Sequence, residues 1–344
     1  MGKGRFAVME QQPGPVNWAD FNAQPLPGMV RLWAWEAIAH GAEFVSFFRF
    51  KQLPFAQEQM HAGLLRVDGE PAAAWQEVQR LSEEISRITL PPRRQAKVAL
   101  VFDYESQWMT EIQPQAQSYN ALEISFRWYS ALRRLGVDVD IISPQAKNLD
   151  YRMILIPSAL CLDDPGYERI LECQSQLIVG PRSGSKTTSL QVPAGLPPGP
   201  LQKRLPLKVR AVDSIRDASS IGVAVDAEEF SVSRWLEDIE SNLTPLYRTS
   251  DGRGVAYENE NILYLNAWVA DDMLLQLLQK RCQRLDIIND VALSDVRLSH
   301  RGDLVIAVNY GPEQAHYAPS DAECLLGSEQ LDAADIAIWK LNNE

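Results

Sequence analysis

Short runs with no polar residue, spaced by helix-length segments, constrain this chain more than any other feature. Val98-Ala99-Leu100-Val101, Met153-Ile154-Leu155-Ile156 and Leu177-Ile178-Val179 are apolar throughout. A strand with one wet face alternates apolar and polar side chains, whereas a strand covered by helices on both faces does not. The runs therefore predict parallel strands in an α/β layer structure. Between them, Leu122, Phe126, Tyr129 and Leu132 form a helical stripe that stops near Gly136, a good C-terminal signal. A second helix is expected over residues 165–173. A strand at Ile262-Leu263-Tyr264-Leu265 precedes a helix with Leu274, Leu277, Leu278 and Cys282 on one side. The pattern is a doubly wound domain, flavodoxin-like in strand order.

The first part of the chain repeats the theme with more aromatic residues. Phe6-Ala7-Val8-Met9 reads as a buried strand, and residues 11–27, with four prolines and a glycine, as a long loop. Residues 28–40 look helical, with Val30, Trp33 and Ala37 at helical spacing. Phe44-Val45-Ser46-Phe47-Phe48 is a second strand, residues 49–70 a loop, and residues 72–88 a helix presenting Trp75, Val78, Leu81 and Ile85. Strand, loop and helix, twice over, is the repeat of a (β/α) barrel. Pro91-Pro92-Arg93-Arg94 marks a boundary, and from Val291 short strands with turns, such as Leu304-Val305-Ile306-Ala307-Val308, suggest a small β domain. The expected domains are 1–90, 91–288 and 289–344.

Composition removes several function classes. Lys+Arg 33 against Asp+Glu 45 gives a net charge of -12 over 344 residues, the wrong sign for a nucleic-acid partner. With 46% hydrophobic residues the chain is not disordered. No run of eighteen apolar residues appears, so no membrane partner is expected. No apolar stretch follows Met1-Gly2-Lys3-Gly4-Arg5, so no secretory signal is expected. Cys161, Cys173, Cys282 and Cys324 are scattered, which predicts neither a metal site nor disulfides, and a cytoplasmic setting. No cofactor is expected.

Glu10 closes the first strand and opens the proline-rich loop. The C-terminal strand ends of a parallel barrel hold its active site, where a carboxylate can be a glycosidase nucleophile or a solvated loop residue. Trp18 and Phe47-Phe48 can wall a sugar pocket or belong to the core. Glu58 and His61 can hold hydroxyls or form a surface pair, and are too few ligands for a metal. Two tempting motifs fail. Gly180-Pro181-Arg182-Ser183-Gly184-Ser185-Lys186-Thr187 has Ser before Lys and three residues between its glycines, unlike a phosphate loop. Cys161 lies between Leu160 and Leu162, without the small residues of a nucleophile elbow.

The segment Val8-Met9-Glu10-Gln11-Gln12-Pro13-Gly14-Pro15-Val16-Asn17-Trp18 resembles the nucleophile region of the family 42 glycoside hydrolases, the bacterial β-galactosidases. The resemblance keeps register through Pro27-Gly28-Met29-Val30-Arg31-Leu32-Trp33, Ala39-His40-Gly41-Ala42 and Glu58-Gln59-Met60-His61-Ala62-Gly63-Leu64, and on through Gly180 to Lys186 and Pro197-Pro198-Gly199. It implies the C-terminal part of a (β/α)8 TIM barrel, then a flavodoxin-like, amidotransferase-like α/β trimerisation domain, then a small β domain. It further implies a β-galactoside substrate, a homotrimer, Glu10 as nucleophile, Trp18 and Phe48 around galactose, and Glu58 and His61 on its hydroxyls. The family's acid/base glutamate and the cysteine zinc cluster of some members have no counterpart here. A whole barrel takes about 250 residues, and the first 90 hold two units of it. The implied activity is retaining β-galactoside hydrolysis; the rival expectation is a non-catalytic oligomerisation or sugar-binding module.

Overall fold

The computed structural model describes residues 6–114, 116, 118–226, 228–288 and 295–342. Residues 1–5, read above as carrying no secretory signal, and the change of pattern at Val291 lie outside the described residues. The chain divides into two compact units, Met1–Arg94 with Leu293–Glu344, and Gln95–Ala292.

The first unit begins with β1 (Phe6–Gln11), α1 (Met29–Ala39), β2 (Ala42–Phe47) and α2 (Trp75–Arg87). β1 and β2 are parallel, with Val8 opposite Val45 and Gln11 opposite Phe47. Parallel neighbours need a crossover, and α1 supplies it. α1 buries Val30, Leu32, Ala34, Trp35 and Ile38. On α2 the expected apolar face is only partly used: Leu81 is buried, Ile85 is exposed, and Glu84 is buried. Glu84 is drawn inward by donors. Arg31 Nε lies 2.8 Å and Trp35 Nε1 2.9 Å from its Oε2, and Arg80 Nε lies 2.8 Å from its Oε1. Burial alone pushes the Glu84 carboxyl up, but the bonds from Arg31, Trp35 and Arg80 outweigh it and hold the group below its ordinary value.

The second unit contains β3 (Val98–Val101), α3 (Tyr104–Ile112), α4 (Ala121–Arg134), β4 (Val139–Ile142), β5 (Met153–Ile156), α5 (Pro165–Glu172) and β6 (Gln176–Val179). It continues with β7 (Leu207–Ser214), β8 (Ile221–Val225), β9 (Glu228–Ser241), β10 (Tyr247–Thr249), β11 (Gly254–Val255), β12 (Tyr257–Asn259), β13 (Ile262–Tyr264), β14 (Ala267–Val269) and α6 (Asp271–Arg284). The parallel strands run β4-β3-β5-β6-β13, the flavodoxin-like order, and β12 adds an antiparallel edge. α4 turns a different face inward from the expected stripe. Ile124, Trp128 and Leu132 are buried, while Leu122 and Phe126 are exposed. Trp128, the largest side chain on the helix, sets that rotation.

A second sheet, β11-β10-β8-β9-β14 with β7 on β9, has no counterpart in the sequence reading. Its two longest strands are charged and only half covered: β7 exposes Lys208 and Arg210, and β9 exposes Glu228 and Glu229. These two lack the apolar runs by which the first sheet announces itself. β9 carries a buried acid, Glu237. Its Oε1 accepts from Arg182 N at 2.7 Å and Trp235 Nε1 at 3.3 Å, and its Oε2 from Tyr264 O–H at 2.6 Å.

The chain then returns to the first unit with β15 (Val296–Arg301), β16 (Leu304–Asn309), β17 (Ala315–His316), β18 (Ala322–Leu326), β19 (Gln330–Leu331) and β20 (Ile336–Leu341). β15-β16-β20-β18 is an antiparallel sheet and β17-β19 a separate pair. β16 is buried on both faces. Leu304, Ile306 and Val308 share a core with Leu32, Trp35 and Ile38 of α1, while Val305 and Ala307 pack with Val296, Ala337 and Trp339. Gly28 starts α1 at φ 92, and a Cβ there would meet Ala334 O at 2.7 Å.

Burial raises the Glu237 carboxyl from 4.5 to about 7 against the pull of its three donors. Between those values the native chain binds more protons at this site than the unfolded chain, so the site's contribution to stability falls as pH rises through that window. Comparing Tm for wild type and Glu237→Gln at about pH 5 and about pH 8 checks this. The variant should gain on the wild type at the higher pH; a constant difference would mean that Glu237 is ionised throughout.

Candidate functional site

Two loops meet beyond the C-terminal ends of β1 and β2. Gln11 O accepts from Phe48 N at 3.0 Å, Pro15 O accepts from Ala62 N at 2.9 Å, and Asn17 Nδ2 donates to Gln57 O at 3.0 Å. The loop after β2 also closes on itself, through Leu64 N to Arg49 O at 2.9 Å and Leu65 N to Phe50 O at 2.7 Å. Gly63 makes that closure possible, because a Cβ there would stand 2.5 Å from Gln52 N and 2.7 Å from Leu65 O.

Phe48 follows β2 directly and is half-buried. The His61 ring meets it edge-on, with centroids 5.0 Å apart and planes at 86°. The Arg49 guanidinium lies over the Phe48 face at 4.9 Å and pairs with the Glu58 carboxylate. His61 is 6% exposed, and neither ring nitrogen has a hydrogen-bond partner among the described residues; the same holds for Arg49 Nε and Nη1 and for Asn17 Oδ1. Unmet buried polar groups are costly, and these five atoms lie on the two joined loops. Trp18 is 72% exposed, next to Asn17 and its bond to residue 57. Glu10 is exposed on β1, one residue before the carbonyl that receives Phe48 N.

The structure thus brings Phe48, Glu58 and His61 into one cluster, with the Trp18 segment tied to it and Glu10 on the adjoining strand end. An exposed carboxylate can attack an electrophilic carbon, and a buried imidazole and a carboxylate can orient hydroxyls. Sequence reasoning missed Arg49. Its signal was an arginine placed directly after an apolar strand and before the loop that carries the glutamate.

The rejected motifs are closed structurally as well. Residues 180–184 are buried, and the Arg182 backbone N–H that a phosphate would need is taken by Glu237. Burial, with Asp163, Asp103, Glu105 and Asp164 nearby, pushes the Cys161 thiol up to about 12. A cavity of 310 Å³ in the second unit is lined by Asp163, Asp164, Glu168, Leu201 and Arg204, far in sequence from the cluster. Among the described residues no group of three or more His, Cys, Asp or Glu could hold a metal, and no helix is long and apolar enough to cross a membrane.

Comparison with known proteins gives the cluster a context. Residues 1–88 match a family model described as β-galactosidase, and residues 96–288 one described as β-galactosidase trimerisation domain. A β-galactosidase of Thermus thermophilus is 46% identical over 342 residues, which is 99% of this chain and 53% of that protein. The β-galactosidase BgaH of Haloferax lucentense is 30% identical, over 98% of this chain and 52% of its own length. A crystal structure of β-galactosidase from the psychrophilic Marinomonas ef1 superposes with a TM-score of 0.94 at 38% identity, covering 99% of this chain and 54% of that one. The chain therefore spans about half the length of the curated relatives it matches.

The thiols provide a check on the discarded nucleophile. Cys161 and Cys282 are buried and Cys324 is exposed. Titration of the native chain with a disulfide reagent should label Cys324 first, and Cys161 only on unfolding. Rapid native labelling of Cys161 would reopen the elbow reading.

Proposed function

Because the chain belongs to the family 42 β-galactosidases, we propose that its first unit supplies one half of a retaining β-galactosidase site. The observation that carries this is the clustering of Phe48, Glu58 and buried His61 beside the strand end that bears Glu10. In this reading the Glu10 carboxylate attacks the anomeric carbon as the glycosidic bond breaks, and a glycosyl-enzyme ester forms. The leaving oxygen takes a proton from a second carboxyl group about 5–5.5 Å from the first, and water then cleaves the ester with that group acting as base. Trp18 and Phe48 give the sugar ring apolar walls. Glu58 and His61 fix its hydroxyls, and the free nitrogens of His61 leave it able to donate or accept.

The second carboxyl group belongs to the half of the relatives' length that these 344 residues do not match. General acid catalysis contributes about 10²–10⁴-fold, and incomplete enclosure forfeits orientation and water exclusion. Exposed apolar side chains on the first unit, Met9, Phe21, Phe44, Phe50, Phe55 and Met60, support a complementing segment that covers them. The match of the second unit to a trimerisation domain supports assembly as a homotrimer. We place it in the cytoplasm, where the free thiols of the described cysteines would remain reduced.

The test is release of nitrophenol from p-nitrophenyl β-galactoside. The chain alone should show no enzymatic turnover. Joined to the segment of the Thermus thermophilus relative that it leaves unmatched, it should turn over, and Glu10→Gln should abolish that activity. Turnover by the chain alone, lost on Glu10→Gln, would place an acid within these residues and overturn the division of labour. Persistent inactivity of the joined protein would favour a non-catalytic oligomerisation module.

Assembly is read separately. Light scattering at micromolar concentration should give three times the chain mass, and a clean monomer would remove the trimer.

A further inference from the structure

Arg49 is the one charged side chain in the cluster with no role in the scheme above. It is also the best anchored. Its side chain is 11% exposed, against 47% for its partner Glu58. Its guanidinium lies over the Phe48 ring, and that ring makes a T-shaped contact with His61. Its backbone carbonyl accepts from Leu64 N at 2.9 Å, closing the loop that carries Glu58 and His61. One residue therefore touches the aromatic wall and the carboxylate with its side chain and the neck of the loop with its backbone.

We propose that Arg49 is a positioning residue, whose guanidinium holds the Glu58 carboxylate and the Phe48 ring where they meet the sugar. This rests on the reading of Glu58 and Phe48 as sugar contacts. A half-exposed glutamate on a loop samples several rotamers, and each costs binding free energy to quench. Pairing through Oε2 to a buried cation selects one rotamer and leaves Oε1 to accept from a hydroxyl. The dependence is mutual, because a buried guanidinium needs both an anionic partner and the ring quadrupole. A planar guanidinium can stack and pair at once, whereas an ammonium at the same place keeps the charge and loses the stack.

The experiment uses the joined protein and the aryl β-galactoside assay. Arg49→Met should raise KM about tenfold, with kcat changed by less than about threefold, as expected for lost ground-state and transition-state binding alike. Arg49→Lys should recover part of that rise. In a Glu58→Ala background Arg49→Met should raise KM by clearly less than about tenfold, because only the Phe48 ring is left to position. An unchanged KM in Arg49→Met, or the same fold-loss with and without Glu58, overturns the proposal. A Glu10→Gln protein that remained active would instead overturn the site reading, so the two failures are separate. Should the joined protein be inactive, amide exchange of the chain alone decides. Arg49→Met should speed exchange over residues 57–64, and unchanged exchange there overturns the anchoring role.

Discussion

A buried guanidinium between two carboxylates holds the first unit in register. Arg31 is 2% exposed and reaches Glu84 on α2 with Nε and Asp335, near the end of the chain, with Nη1, both at 2.8 Å. Removing one partner of such a pair typically costs about 3–5 kcal/mol, because the other charge remains buried without compensation. α2 also completes the start of α1. Gly28 has no side chain to cap that helix, and the Glu77 carboxylate accepts from Gly28 N at 2.9 Å and Arg31 N at 3.0 Å instead. These are amides a helix leaves unpaired at its N-terminus. The angle between α1 and α2, and hence the placement of β1 and β2, is fixed by directional bonds on top of apolar packing.

That rigidity matters because the candidate site has little of its own. It is built from loops, and loops hold geometry only when something ties them down. Here the ties are backbone bonds between the two loops, the absence of a Cβ at Gly63, and the stack of Arg49, Phe48 and His61. None involves Glu10, which inherits its position from strand pairing alone. In the proposed reading, a nucleophile on a strand and hydroxyl contacts on a loop divide the work sensibly. Attack tolerates small errors in direction poorly, while hydroxyl recognition can use a segment that adapts.

The central parallel sheet was legible because β3 and β5 are uninterrupted apolar runs, and the doubly wound order followed from strands alternating with helical stripes; β1 and β2, expected to be buried, carry polar residues and leave Phe6, Met9 and Phe44 exposed. The second sheet was not legible. β9 mixes Glu228, Arg234 and Asp238 with Val232 and Leu236 across fourteen residues, and period-two alternation is weak where one face is half wet. The inward face of α4 was misjudged because Leu122 and Phe126 are as apolar as the residues that are buried; only packing around Trp128 separates them. At the site, Glu10, Trp18, Phe48, Glu58 and His61 were singled out by strand-end position and by the family resemblance. Arg49 was not, since an isolated arginine after a strand looks like any solvated charge until Glu58 and Phe48 are seen folded onto it.

The return of the chain from β15 to β20 into the first unit sets an order of events. Arg31 and Asp335 are 304 positions apart, so the core between α1 and β16 cannot close until nearly all of the described chain has left the ribosome. Contacts of such sequence separation form slowly, since loop-closure entropy comes before any reward. The second unit is continuous in sequence and has no such wait. Synthesis runs at about 5–20 residues per second and domains fold as units, so the second unit can be complete while the first still exposes its strands. The segment bearing Glu10 is then made before the second unit and finished after it, with its strands uncovered in the interval.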